Sequence, residues 1–322
     1  MKNLRIERYN NTHKLAWDTF VNRLDTHSIL FYRDFINYHQ DRYDDFSLLI
    51  FKDNKLLSIL PANIDANNMM HSHQGLSYGG LLFSTNTSFS FRVEQFSVLL
   101  HFLYKKNIQK LFIKGMPHCY ANDSSDKLIF HWLEAKTYRT DIYSYLPKGA
   151  YEKPNRNRLR HLENAKKQDI EIRRGKQFGE FWEKVLSPNL KDRFAVTPVH
   201  TLTEIEHLSE KFINEIILFG AYQNDVLRAG AVVFIHRDVV HVQYSAGDKN
   251  RADGSLDLLI DHIIKKYNTD KVFSFGTSSE NQGKQLNGGL LYWKESFKAC
   301  NDVQPFYVIE TENHTLLENR FR

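Results

Sequence analysis

The sequence predicts an α/β (α+β) chain of two tandem domains, each a mixed, mostly antiparallel sheet flanked by helices. Three observations predict it. The length, 322 residues, is about twice that of an ordinary domain. The same order of elements occurs twice. Between the two runs, Leu146–Pro154 interrupts the apolar periodicity with prolines, a glycine and charges, the composition of a turn-rich connection. The domains are therefore set at residues 1–150 and 151–322.

In the first half Leu4–Tyr9 alternates as a strand, and Lys14–Leu24 and Phe31–Tyr43 have helical spacing. Phe46–Phe51 and Lys55–Ala62 make a hairpin around Lys52-Asp53-Asn54, with a further strand near Gly79–Phe83. Helix Arg92–Lys106, strand Lys110–Lys114, helix Asp126–Lys136 and strand Asp141–Leu146 complete it. The second half opens with a basic helix from Arg156 to about Gln168, then strand Ile170–Arg174 and helix Phe178–Leu186. Helix Thr203–Phe212 takes Thr203 as N-cap and Glu206 at N3. Ile216–Gln223 and Val226–His236 form a hairpin around Asn224-Asp225, followed by strand Val239–Ala246. Helix Ser255–Tyr267, strand Lys271–Phe275, helix Lys284–Phe297 and strand Gln304–Glu310 close the repeat.

Composition narrows the class. Hydrophobic residues at 42% and charged residues at 25% are those of a folded globular chain and exclude a disordered one. The 23 Phe and 16 Tyr supply large apolar surfaces for two cores. A formal charge of +5 suits a polyanionic small molecule and falls short of the clustered basic face of a nucleic-acid binder. Cys119 and Cys300 lie in different halves without ligand neighbours, which reads as two inert thiols in a reducing compartment. The N-terminus lacks an apolar signal core and no apolar run reaches about 20 residues, so the expected location is cytoplasmic, with no membrane span.

The stretch richest in chemistry follows strand Val239–Ala246. That strand, with Tyr244, Ala246 and Gly247 at its end, runs into Asp248–Ser255 and then a helix. First-turn N–H groups are unpaired and the helix dipole adds positive character, so the junction can take an anion. Arg251 can form charge-assisted bonds to it, Asn250 lies beside Arg251, and Gly254 permits close backbone approach, with Ser255 opening the helix. The same residues equally suit an ordinary helix start capped by Ser255.

Downstream, Phe275-Gly276-Thr277-Ser278-Ser279-Glu280 leads to Asn287, Leu291-Tyr292 and Phe297. This order resembles the GNAT (Gcn5-related N-acetyltransferase) superfamily, in which a pyrophosphate loop precedes one helix and a second carries Asn, Leu-Tyr and a terminal Phe. Two departures stand out: Ser296 replaces the usual glycine before that Phe, and Leu256 replaces the last glycine of the phosphate loop. Together with His71–Gly80 and Arg156–Arg160, these segments resemble tandem-GNAT proteins of bacterial surface-polysaccharide loci, related in fold to Fem-type aminoacyltransferases. The resemblance implies acetyl-CoA in the second half, contacted by Tyr244, Ala246, Gly247, Asn250, Arg251, Gly254, Ser255 and Asn287. It implies N-acetylation of a nucleotide-linked amino sugar such as a dTDP-3-amino-3,6-dideoxyhexose, for O-antigen or capsule.

Acyl transfer to an amine needs alignment, oxyanion stabilisation and protonation of the leaving thiolate. Tyr292 is the expected acid, the role the resemblance gives it; it also suits a core-edge aromatic beside Trp293. Glu280 and His73 are the candidate bases. Expected substrate contacts are His71 and Tyr78 in the glycine-rich loop, the cluster Arg156, Asn157, Arg158 and Arg160, and Ser278, Asn281 and Lys294. That basic cluster can equally be a solvated helix face. His71-x-His73 has metal-ligand spacing but no third ligand nearby, so no metal is expected. The corresponding junction of the first half, Ser84–Phe89, has no glycine or cation, so that half is read as having lost CoA binding and walling a substrate cleft. Two other readings stay open. A Fem-type transferase would use aminoacyl-tRNA on a peptidoglycan precursor, although the chain lacks a long helical coiled-coil insertion. A non-catalytic module would bind CoA or carbohydrate without turnover.

Overall fold

The computed structural model describes residues 4–121, 123–194, 196–249, 254–318 and 320. The chain divides into two compact units, Met1–Asp141 with Val303–Arg322, and Ile142–Asp302. The boundary thus falls nine residues before the expected position at 150. The last strand, expected in the second domain, contributes its residues from Val303 onward to the first unit. A strand can serve a sheet far from its neighbours in sequence, and periodicity carries no sign of that.

The first unit runs β1 (Leu4–Arg8), α1 (Lys14–Arg23), α2 (Arg33–Ile36), β2 (Asp44–Asp45), β3 (Leu48–Lys52) and β4 (Lys55–Leu60). Then come β5 (Asn63–Ile64), β6 (Met70–His71), β7 (Leu82–Phe83), α3 (Phe89–Lys105), β8 (Lys110–Lys114), α4 (Asp126–Trp132) and β9 (Lys136–Leu146), whose residues from Ile142 onward belong to the second unit. β1, β3, β4 and β7 form one antiparallel sheet. β8 pairs in parallel with β6, which continues through β5 to β2. Leu99, Leu100 and Leu103 of α3 pack with Leu111, Ile113 and Ile50 in one apolar core, the arrangement expected of a helix laid on a sheet face.

The second unit contains α5 (Arg156–Lys166), β10 (Glu171–Gly175) and α6 (Phe178–Phe181), which passes through a π-helical turn, Trp182–Leu186, into α7 (Ser187–Phe194). α8 (Leu202–Lys211), β11 (Ile216–Gln223), β12 (Val226–Ile235), β13 (Val239–Gly247), α9 (Ser255–Tyr267) and β14 (Val272–Thr277) follow. A short hairpin, β15 (Ser279–Glu280) with β16 (Gln285–Leu286), then α10 (Gly288–Ser296) and β17 (Cys300–Glu310), complete the order. Strands β10 to β13 pair antiparallel in sequence order. β14 joins β13 in parallel and takes Tyr143–Leu146 of β9 antiparallel on its other edge. The β11–β12 turn uses Asn224 and Asp225, both at positive φ (49° and 59°), as a two-residue hairpin of matching twist requires. Leu259, Ile260, Ile263 and Ile264 of α9 pack on Val240, Val242 and the β11–β12 pair.

Some expected elements differ. Phe31–Tyr43 is three short turns: Trp17 Nε1 donates to the Phe31 carbonyl (2.7 Å), and the Phe35 N–H bonds the Tyr32 carbonyl (3.0 Å) in place of it, while Asp18 takes the Arg33 N–H (2.9 Å). The helix from Asp126 stops at Trp132, and Lys136 already lies in β9. The helix expected from Lys284 starts at Gly288, since Asn281, Gln282 and Gly283 are left-handed and turn the β15–β16 hairpin. The N-cap of α8 is Thr201 with Glu204 reaching back; the same Thr-x-x-Glu signature recurs two residues later, at the expected position.

Candidate active site

The site arises where two parallel strands part. β13 and β14 are in register at Val239–Val272, Val240–Phe273 and His241–Ser274, and share no pairing beyond. In the gap lies a cavity of about 620 Å³. Residues 242–247 of β13 and Phe275 and Thr277 of β14 line it. Asn189 and Arg193 of α7 also line it, as do Asn287, Tyr292, Trp293 and Lys294 at α10. β13 is bulged where Val232 faces Tyr244 and Val233 faces Val242, leaving Gln243 as the extra residue and re-aiming its backbone groups. The π-helical turn before α7 is of a kind that often marks functional positions.

The end of the cavity nearest α9 is the anion-compatible end. Gly254, left-handed at φ +77°, caps α9 without a side-chain bond, so the first-turn N–H groups of a 13-residue helix face the lining. A Cβ at Gly254 would stand 3.1 Å from both Ala165 Cβ and the His161 carbonyl oxygen. Both the turn and the approach of α5 therefore require glycine here. Four basic side chains, Arg158, Arg193, Arg228 and Lys294, line the cavity against two carboxylates, Asp248 and Asp257. Arg158 pairs closely with Asp257 and donates to Ser296 Oγ (2.9 Å). Asp257 accepts from Trp293 Nε1 (2.8 Å), and Arg228 pairs with Asp248 (3.1 Å). One network thus ties α5, α9 and α10 around this end.

Lys294 is the most unusual group. It is 2% exposed and its Nζ donates to the carbonyls of Gly276 (2.8 Å) and Thr277 (2.6 Å). Burial penalises its charge and pushes it down to about 7. Asn287 caps α10 by accepting from Leu290 N (2.9 Å) and donates Nδ2 to Glu280 (2.7 Å). Tyr292, 53% exposed, stands on the lip.

Of the residues expected from the sequence, Tyr244, Ala246, Gly247, Gly254, Ser255, Asn287, Tyr292 and Lys294 meet at this cavity. Asn250 and Arg251 lie outside the described residues. Tyr244 is largely buried, its hydroxyl held by the His200 N–H (3.0 Å) and Nδ1 (2.5 Å) and pushed up to about 12 by burial. Glu280 is exposed, bonded to Asn287 and not in the lining; Asn281 is an exposed left-handed turn residue. Ser278 is buried and its Oγ has no hydrogen-bond partner.

The other expected residues, Arg158 apart, lie outside this lining. Arg156, Asn157 and Arg160 are exposed, with Arg160 donating to Asn157 (3.2 Å); the arginine of that helix in the lining is Arg158. In the first unit His73 is 2% exposed, among the rings of His39 and Tyr43, and burial holds it down to about 3. Unlike Lys294, it does not line the cavity. Tyr78 is likewise buried against Phe31 and Tyr120, its hydroxyl bonded to Ser28 (3.0 Å) and its ionisation strongly opposed by burial. His71 is stacked on Phe112 and bonded to Asp65 (2.9 Å). Among the described residues no group of three or more His, Cys, Asp or Glu side chains is arranged to hold a metal, and no helix is long and apolar enough to cross a membrane.

No protein-family model matches the chain, and no curated protein matches it by sequence. Solved structures do match in shape. FemX superposes with a TM-score of 0.67 over 97% of this chain and 99% of its own, at 12% identity. The C-terminal DUF2156 domain of a putative lysylphosphatidylglycerol synthetase from Agrobacterium fabrum gives 0.58 over 95% and 94%, at 10% identity. A tandem GNAT protein from the clavulanic acid biosynthesis pathway gives 0.52 over 96% and 99%, at 8% identity. Such low identities speak for the fold alone. The chain is built as two tandem GNAT-like domains, a fold it shares with FemX.

Proposed function

We propose that this protein is a cytoplasmic acyltransferase that moves an acetyl group from the thioester of acetyl-CoA to the amine of a nucleotide-linked amino sugar, such as a dTDP-3-amino-3,6-dideoxyhexose, for O-antigen or capsule. The observation that carries the reading is the gap where β13 and β14 separate beyond His241–Ser274. An extended donor arm can lie there as an added strand against the unpaired edge of β13. The first turn of α9, which opens on left-handed Gly254, and the basic side chains that line the same cavity suit the donor's phosphates.

The thioester supplies the acyl group, and the protein's residues do the rest. Backbone N–H groups at the Gln243 bulge polarise the carbonyl. As the amine nitrogen bonds to the carbonyl carbon, Lys294, with a substantial neutral fraction near pH 7, takes the amine's proton. As the carbon–sulfur bond breaks, the Tyr292 hydroxyl protonates the sulfur, leaving an amide and a thiol. Purified protein incubated with acetyl-CoA and a panel of dTDP- and UDP-amino sugars should release free thiol with at least one of them. No release with any would sink the proposal.

A Fem-type reading, with aminoacyl-tRNA as donor and a peptidoglycan precursor as acceptor, is favoured by the match to FemX along nearly the whole chain. Both readings share the cavity and the acyl transfer; they differ in the donor's carrier. Binding of charged tRNA without measurable affinity for CoA would reverse the ranking.

A further inference from the structure

β14 carries a bulge: Ser274 faces Tyr145 and Gly276 faces Ser144, with Phe275 as the extra residue. Gly276 is left-handed at φ +74°, a conformation that side chains oppose. The bulge and the turn together aim two consecutive carbonyls, of Gly276 and Thr277, at Lys294 Nζ. Behind Gly276 stands His241 of β13. A Cβ at Gly276 would lie 3.0 Å from His241 Cε1, so the ring and the glycine are in direct contact. His241 Nδ1 is bonded to Ser274 Oγ (3.2 Å), which also accepts from the Gly276 N–H (3.4 Å). Imidazole, serine and glycine form one packed group, with the lysine amine held on its cavity side.

We propose that His241 is a positioning residue for Lys294: its ring fills the space behind Gly276, fixes the two carbonyls that grip the amine and keeps water away from it. The consequence for catalysis rests on the acyl-transfer reading above, while the effect on Lys294 itself does not.

The charges around the lysine leave this role to volume and hydrogen bonding. His241 is half-buried, and loss of hydration first, then the nearby Lys294, holds it down to about 4, so it is neutral wherever Lys294 titrates. Of the other titratable groups, Asp257 of α9 is taken by Arg158 and Trp293, and His161 of α5 stands 3.8 Å from that carboxylate. On α10 itself Glu295 accepts from Asn301 (2.6 Å) and Tyr292 is exposed. Elsewhere in the lining Arg228 pairs with Asp248, and Arg193 comes from α7. With no carboxylate bonded to Lys294, exclusion of water is what keeps its amine able to lose a proton near neutrality. Removing the ring opens room beside Gly276 for water, which stabilises the ammonium.

The test reads Lys294 directly. The full-length protein and its His241→Ala and His241→Phe variants are labelled with acetic anhydride across pH 5–11, and the peptide containing Lys294 is quantified by mass spectrometry. Wild type should label with a midpoint near 7. His241→Ala should move the midpoint up by about one unit or more, a roughly tenfold loss of labelling at neutral pH. His241→Phe, which refills the space, should stay near wild type. An alanine variant that labels like wild type overturns the proposal, and so does a phenylalanine variant that shifts as far as alanine. If circular dichroism shows the alanine protein unfolded, His241→Asn, smaller but able to bond Ser274, takes its place under the same criteria. The pH profile of kcat/KM is recorded in parallel. Shifted labelling in a protein with no acyl transfer would fail the proposed function and keep this inference; normal transfer with unshifted labelling would do the reverse.

Discussion

Arg158→Met removes the guanidinium from an ion pair that the second unit keeps nearly dry. The side chains of Arg158 and Asp257 are 11% and 10% exposed. In the variant Asp257 keeps its bond from Trp293 Nε1 at 2.8 Å and has His161 Nδ1 at 3.8 Å, so its charge is partly compensated. Stranding one member of a buried pair costs about 3–5 kcal/mol, and losing the bond from Arg158 Nε to Ser296 adds about 1 kcal/mol. The surviving indole bond pulls the total toward the lower end, about 4 kcal/mol. The assay is urea unfolding at pH 7, followed by tryptophan fluorescence and circular dichroism. Arg158→Met/Asp257→Asn, which removes the stranded charge, should recover to within about 1 kcal/mol of wild type, because isosteric loss of both charges is often neutral. A single variant that loses under about 1 kcal/mol, or a double variant no more stable than the single, would refute the claim that the pair is desolvated.

Tyr292→Phe should leave unfolding unchanged, because the side chain is half exposed, and lower turnover by about a hundredfold or more with little change in CoA affinity; wild-type turnover would leave the tyrosine a packing residue. The rate should fall about tenfold per pH unit below pH 7 as Lys294 gains its proton, and Lys294→Met should abolish that limb along with most activity. Lys294 also predicts the pH dependence of stability. Folding depresses it from 10.5 to about 7, so the unfolded chain binds the extra proton between those values and stability rises as pH climbs through that window. Lys294→Met should flatten the rise in urea midpoints measured from pH 7 to 10. Thr201→Ala, which breaks the capping box of α8, should cost about 1 kcal/mol in the same unfolding assay.

Most of the fold could be read from the chain because its local signals agree with one another. The Asn-Asp turn between two apolar runs marks β11 and β12, and Ser255–Tyr267 carries apolar residues at helical spacing between a glycine and a loop. Failures occurred where tertiary bonds override local preference. Residues 31–43 have helical periodicity, yet the Phe31 carbonyl and the Arg33 N–H are claimed by Trp17 and Asp18. The two-residue strands β2, β5 and β6 offer no periodicity to detect. The division at Asp141 depends on a strand returning from the far end of the sequence, which no window of neighbouring residues contains.

The site was legible where residue type and backbone need coincide. Gly254 must be glycine for its φ and for the approach of α5, and Asn287 must cap α10; both needs leave a trace in the sequence. The basic cluster was legible as a group but not residue by residue, and the difference between its members has a physical form. Arg156, Arg158 and Arg160 look alike by composition, but α5 has a phase: its buried positions are Leu162 and Ala165. Arg158 precedes them by four and seven residues, the spacing of one helical face, whereas Arg156 and Arg160 fall on the solvated side. Counting from the apolar positions would have selected Arg158 as the residue drawn into the unit. His241 yields to the same reasoning only in part. Alternation along β13 puts it opposite Val240 and Val242, on the face away from α9, but nothing in the sequence tells that the bulge in β14 brings Gly276 and Lys294 to that face. A charge drawn onto a buried helical face can be found from the chain; a neighbour created by a bulge in another strand requires the fold.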